Sequence, residues 1–304
     1  MSVHTVDIGT TVSETAEPRV GGTGQHRGLA VGLLGLAAVL VANTALGPLG
    51  SGIVEYPFTE TMLNQTIGLE VVTVCLVVPL TVLAGVLALR EHRAAPFLGL
   101  GPAAYSAYMF VQYVVGPEYG RYTIQVLFHT VVFTLSVGVT VWAWTLASRE
   151  PLPHLTRLRR RVYGAILLLL AAFIVTRYLP VVTDGTLPPE FDEARTFFWS
   201  IFLLDLGVVV PATLVAGIAL LRGVRLATAA LYGLLGWYAL VPPSVAAMSA
   251  TMVVNDDPFA VPGQAAVLSV VAVLFLGLAA WVFTPLLRRP GGARRTDSST
   301  GSRQ

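Results

Sequence analysis

The chain has 304 residues, of which 55% are hydrophobic and only 12% charged, with a mean hydropathy of +0.72. Those values exclude a soluble globular domain and leave a chain built mainly from lipid-embedded segments. The net charge of +2 says little, but all 19 basic residues are arginine, which excludes chemistry that needs a lysine amine, such as a retinal or pyridoxal Schiff base or a P-loop phosphate lysine.

In chain order, residues 1–26 form a polar tail without apolar periodicity and are expected to be disordered. Eight apolar runs follow, at 28–49, 64–89, 95–116, 122–147, 161–182, 196–221, 227–254 and 264–287. At about 1.5 Å per residue each is long enough to cross roughly 30 Å of hydrocarbon. Lipid offers nothing to satisfy backbone N–H and C=O groups, so such runs must be helices. The first run reads as a retained span rather than a signal-peptide core, because it exceeds the usual ~7–15 apolar residues. Residues 290–304 are again polar and are expected to be disordered.

The arginines divide these runs by side. Sixteen of them precede the first run or fall after the second, between the fourth and fifth, after the sixth and after the eighth. The alternate loops are acidic and hold Glu55, Glu60, Glu118, Asp184, Glu190, Asp192, Glu193, Asp256 and Asp257. The positive-inside rule then places both termini in the cytoplasm of a multi-pass protein of the cell membrane. The arginine-rich connector and C-terminal tail serve chiefly as this orientation signal, and are also suited to anionic lipid headgroups.

The chain also repeats itself. Val77–Arg90 (VVPLTVLAGVLALR) returns 132 residues later as Val209–Arg222 (VVPATLVAGIALLR), with eight of fourteen positions identical, among them Pro, Thr, Gly and Arg. Ala37–Val41 likewise matches Ala171–Val175 at a shift of 134. This predicts an all-α integral membrane bundle of eight transmembrane helices in two parallel four-helix repeats, 27–147 and 161–289, joined by a cytoplasmic connector over 148–160. Pro79, Pro211 and the Pro242–Pro243 pair are expected to interrupt their helices, a feature shared by transport sites and by ordinary membrane kinks.

Two further features are a Pro-containing second span closed by Leu89–Arg90, and a third span opening with Gly99 and Gly101 that continues into Tyr105, Tyr108 and Tyr113. With these features the first half resembles a broad group of bacterial polytopic membrane proteins. That resemblance implies the general build and no activity.

Ionisable groups at membrane depth cost about 2.5–3.5 kcal/mol on insertion scales, so each needs a reason. Glu70, His129, Arg177 and Asp205 lie toward the acidic-loop side on four different runs, with Asn43 and Gln125 near them. Gathering them in one polar interior, with Arg177 paired to a carboxylate, would lower the cost. Arg177 also reads as a side chain that snorkels to the headgroups, Glu70 as a rim residue, and His129 as an interhelical hydrogen-bond partner. Asp205 is short and flanked by leucines, which makes it the hardest to explain without a functional or buried-pair role. The lone Cys75 excludes an internal disulfide or a thiolate metal cluster.

No nucleophile–base or metal-ligand spacing is present, so no catalytic, metal or cofactor site is expected. The partners the sequence allows are the lipid bilayer, a small solute or proton, and a second copy of the chain; nucleic acid is not among them. The leading expectation is a transporter or channel-like protein for a small solute, coupled to protons through Asp205 or Glu70. The alternative is a non-transporting sensor, assembly factor or structural partner. An enzyme acting on lipid has the least support.

Overall fold

The computed structural model describes residues 23–120 and 123–287; the tail over 1–22 and the segment 288–304, including its expected disordered part, lie outside it. Among the described residues there is no strand. Seven helices are long and apolar enough to cross a membrane: α1 (Gly24–Leu46), α2 (Glu60–Leu89), α4 (Ile124–Ala147), α5 (Arg157–Asp184), α6 (Arg195–Arg222), α7 (Leu226–Val254) and α8 (Pro262–Leu287). This is the make-up of a polytopic membrane protein.

Between α2 and α4 stands an eighth long helix, α3 (Ala95–Val115), which is too polar to join that set. The reason lies in its neighbours. α3 packs against α2, α4, α7 and the N-terminal part of α6, and two thirds of its length is buried, including Gly99, Gly101, Pro102, Ser106 and Gln112. A helix sheathed by other helices is not selected for lipid contact and can carry small and polar residues. Outer helices show the opposite arrangement. On α1, Leu29, Leu33, Leu36 and Leu40 are all but fully buried at helical spacing, while Val31 is 69% exposed. Lipid is as apolar as leucine, so these contacts are held by close packing rather than by expulsion of water.

Local signals account for the helix ends. The Thr59 and Thr156 hydroxyls cap α2 and α5 by accepting from the Met62 and Arg159 N–H groups. Gly185 and Gly223 close α5 and α6 in the left-handed region, at φ +68° and +77°. The first helical turn reaches back to Thr23, into the expected tail, and His26 there lies 3.4 Å from Glu150 of the connector.

The repeated segment carries a repeated distortion. Thr73–Val77 and Asp205–Val209 are both π-helical turns, each running directly into Val-Pro. In α2 the Val78 N–H donates to the Thr73 carbonyl; in α6 the Val210 N–H donates to that of Asp205. Proline lacks an N–H and its ring crowds the carbonyl four residues back, and one widened turn relieves both problems without ending the helix. Pro242–Pro243 act differently: α7 breaks at Ala239–Leu240 and restarts at Val241, with the prolines in the new first turn, where no N–H is needed.

Glycine sets the closest crossings. A Cβ on Gly101 would stand 2.8 Å from the Gly236 Cα, so α3 and α7 meet backbone to backbone. α2 and α7 do the same at Gly68 and Ala247, and α5 and α6 approach closely at Gly164 and Gly217. Arg225, Ser148, Arg93 and Pro285 come together at one end of the bundle through hydrogen bonds from the arginines to the Ser148 and Pro285 carbonyls. At the other end Glu118 accepts from Thr196, and Asp257 accepts from Thr61 and Asn64. Arginine-rich and acidic connections are thus segregated.

Candidate functional site

Asp205 opens the π-turn of α6, about 15 Å from the start of that helix at 1.5 Å per residue. It is 4% exposed. Its Oδ1 accepts from the Tyr108 hydroxyl of α3 at 2.7 Å and its Oδ2 from the Tyr178 hydroxyl of α5 at 2.5 Å. Both oxygens are therefore held by neutral donors from two other helices. Hydrogen bonds to a carboxylate are about twice as strong as neutral ones, and the low dielectric of the site strengthens them further. Trp237 packs edge-on to Tyr108 at 5.2 Å, and the Tyr238 hydroxyl pairs with Thr213 at 3.0 Å beneath it.

Arg177 is exposed, its guanidinium 5.8 Å over the Tyr178 ring, and among the described residues it makes no ion pair with Asp205. The expected charge pair is replaced by a tyrosine pair. Asp205 meets its need for donors inside the bundle, which leaves the guanidinium free to reach outward along its apolar stem.

Glu70 lies in a second cluster. It is 2% exposed on α2, and its Oε2 accepts from the Leu49 N–H at 2.9 Å. Leu49 belongs to the α1–α2 connection, which folds inward over the acid rather than standing clear of it. Gly47 permits this, since a Cβ there would overlap Glu70 Oε1. Tyr56 of the same connection is buried, its hydroxyl 3.4 Å from both amide atoms of Asn43. Burial raises that hydroxyl's pKa well above the ordinary tyrosine value, and nearby Glu70 adds to the shift.

The Tyr56 ring joins the two parts of this cluster, stacking on His129 at 5.3 Å and 13°. His129, fully buried on α4, is enclosed further by Phe110, Tyr113 and Phe128. Asn43 and Glu70 line a small cavity of about 10 Å³ together with Tyr105, Ser106 and Tyr113, roughly the room one water needs. Among the described residues, both His129 ring nitrogens, Glu70 Oε1 and Thr44 Oγ1 are buried with no hydrogen-bond partner. Buried polar atoms are normally paired with protein or with water, so this concentration sets the Glu70 and His129 cluster apart from the rest of the described interior.

The structure thus gathers Asn43, Glu70 and His129 around Tyr56, and sets Asp205 apart with Tyr108 and Tyr178. Gln125, half-buried, lies one turn before His129 on α4. Pro79 and Pro211 follow the two π-turns, while Pro242 and Pro243 start the second segment of α7. Sequence reasoning passed over Tyr56 and Tyr178, and it named Tyr108 only among the tyrosines of the third span. The signal available for Tyr108 was its shared face with Tyr105 and Gln112 on a run otherwise rich in small residues. It also counted Asp257 only among the acids of the loops opposite the arginines. Asp257 is 6% exposed and accepts from Thr61, Asn64 and the Phe259 N–H, and so clasps the start of α2 to the end of α7. Among the described residues no group of three or more His, Cys, Asp or Glu is placed to hold a metal ion.

Comparison with known proteins adds no relative: no family model, no curated protein and no solved structure matches the chain.

Proposed function

We propose that the chain is a transporter for a small solute, coupled to protons through Asp205. The observation that carries this reading is the Asp205 carboxylate, buried at mid-helix in a π-turn and held by hydroxyls from two other helices. Intramembrane carboxylates mark proton pathways, and this one ties α3, α5 and α6 together, so a change at it reaches three helices at once.

The reading includes eight crossings, with α3 as the sheathed one, in two parallel four-helix halves, both termini in the cytoplasm and the chain in the cell membrane. Its support is the matched π-turn before Pro79 and Pro211 and the contact of the two third helices at Gly101 and Gly236. The packing of α1 on α2 and of α5 on α6 supports it as well. In liposomes loaded with a pH-sensitive dye, adding a panel of small solutes (amino acids, sugars, organic acids, inorganic cations) should start a proton flux in the wild type that empty liposomes lack. Asp205→Asn should insert normally and fall to the empty rate. A wild type that moves no protons above the empty rate with any of these solutes overturns the reading.

A second reading is a non-transporting sensor, assembly factor or structural partner. It is favoured by the tightness of the Glu70 cluster, whose cavity of about 10 Å³ admits no solute larger than water.

A further inference from the structure

A crevice of about 540 Å³ with an almost wholly apolar lining opens between α4 and α6, with α3 and α7 as its floor. Small residues create it. Ala104 and Ala107 on α3, Ala212 on α6 and Gly233 on α7 leave a hollow, while Trp144 and Trp237 wall it. Its size falls within the ~300–1,000 Å³ range of ligand sites, and clefts between bundle helices are where such sites form.

Its length and its ends say what fits. On α3 it runs from Leu100 to Val111, and at 1.5 Å per residue that is about 16 Å, half of a ~30 Å hydrocarbon core. It is centred on α3, with about 7 Å of the helix left at the arginine end, so a chain entering from that leaflet reaches past the midplane. Toward its deep end it passes the Tyr108 ring, whose hydroxyl is committed to Asp205, and reaches Val111 one turn further on. Its shallow end lies by Trp144, one turn from the end of α4, where Arg225 donates to the Ser148 carbonyl at 2.7 Å beside exposed Arg149. The leaflet at the arginine end of the bundle is the one it serves.

We propose that this crevice is a specific site for one acyl chain of an anionic phospholipid, with the headgroup held by Arg149 and Arg225. The apolar walls take the chain, the Tyr108 ring lies along its deep half, and the arginines select negative charge over a zwitterion. The inference does not depend on transport, since an occupied crevice suits a sensor or structural protein equally.

Trp237 gives the test, because it is only 6% exposed yet lines the crevice, so bulk lipid does not reach it. The full chain, with Trp142, Trp144, Trp199 and Trp281 changed to Phe, is reconstituted in vesicles containing phosphatidylglycerol or phosphatidylcholine brominated along one chain. Brominated phosphatidylglycerol should quench Trp237 at roughly tenfold lower mole fraction than the choline lipid, two arginines supplying that preference. Arg149→Gln with Arg225→Gln should remove the preference and leave residual quenching. Ala107→Phe and Ala212→Phe fill the hollow from different helices, and whichever folds should abolish quenching. No quenching by either lipid, equal quenching by both, or quenching that survives the filled crevice overturns the proposal.

Discussion

Tyr108 and Asp205, 97 residues apart in the chain, meet in a 2.7 Å hydrogen bond that joins α3 to α6. Tyr178 completes the arrangement from α5, so a single carboxylate ties three helices. Removing one hydroxyl leaves one oxygen with a buried lone pair unmet, and removing both leaves a buried carboxylate with neither tyrosine.

Tyr108→Phe and Tyr178→Phe should therefore each destabilise the protein by about 1–3 kcal/mol. The double variant should exceed their sum by about 0.5 kcal/mol or more, because the second loss strips the same group. Unfolding in mixed micelles with increasing SDS measures all three. Strict additivity would mean that the two hydroxyls bind their Asp205 oxygens independently of each other.

The α3–α7 crossing gives a second expectation. Gly101→Ala and Gly236→Ala each push a methyl group into facing backbone, which has no rotamer with which to yield. A cost of about 1–3 kcal/mol is expected for each. Gly35→Ala and Gly277→Ala meet open space on α1 and α8 and should be neutral or stabilising by up to about 1 kcal/mol, since alanine is the better helix former. The same SDS titration separates the two pairs.

At the acidic end, Asp257→Ala removes the acceptor of two side-chain donors and the Phe259 N–H together. About 1–3 kcal/mol should be lost, and the α7–α8 connection should become sensitive to protease added on that side. Asp257→Asn keeps one acceptor oxygen and should fall between wild type and Ala. Equal protease resistance in all three proteins would show that the clasp does not hold the connection.

Much of the helical frame was legible in the chain because hydropathy and run length report directly on lipid burial. The runs at 64–89 and 95–116 end within a residue of α2 and α3. The polar character of α3 was visible, but its cause was not, because what surrounds a helix is a tertiary fact. The prolines pointed to interruptions, yet whether Pro79 and Pro211 kink, break or widen their helices depends on which carbonyl each N–H selects. The partners of Asp205 lie 97 and 27 residues away and were out of reach of any local pattern. Glu70 looked like a rim residue because nothing in the sequence of the α1–α2 connection says that Leu49 and Tyr56 fold inward.

The π-turn in α6 is what aims Asp205, and removing it should separate position from chemistry. A π-turn amounts to one residue more than the α-ladder needs, so deleting exposed Gly207 restores regular pairing and rotates Arg195–Leu206 by about 100° against the rest of α6. The Asp205 carboxylate then swings away from Tyr108 and Tyr178. The deletion also returns the proline to an ordinary α-helical interior, where it costs about 3 kcal/mol, so the deletion alone should be strongly destabilised. Adding Pro211→Ala should recover about that amount without recovering the hydrogen bonds. The check is a cycle in the repaired background: Tyr108→Phe, costly in the wild type, should there have no effect on SDS unfolding. A full Tyr108→Phe cost in that background would mean that Asp205 finds its partner without the π-turn, and the matched distortion before Pro79 and Pro211 would then relieve the prolines alone.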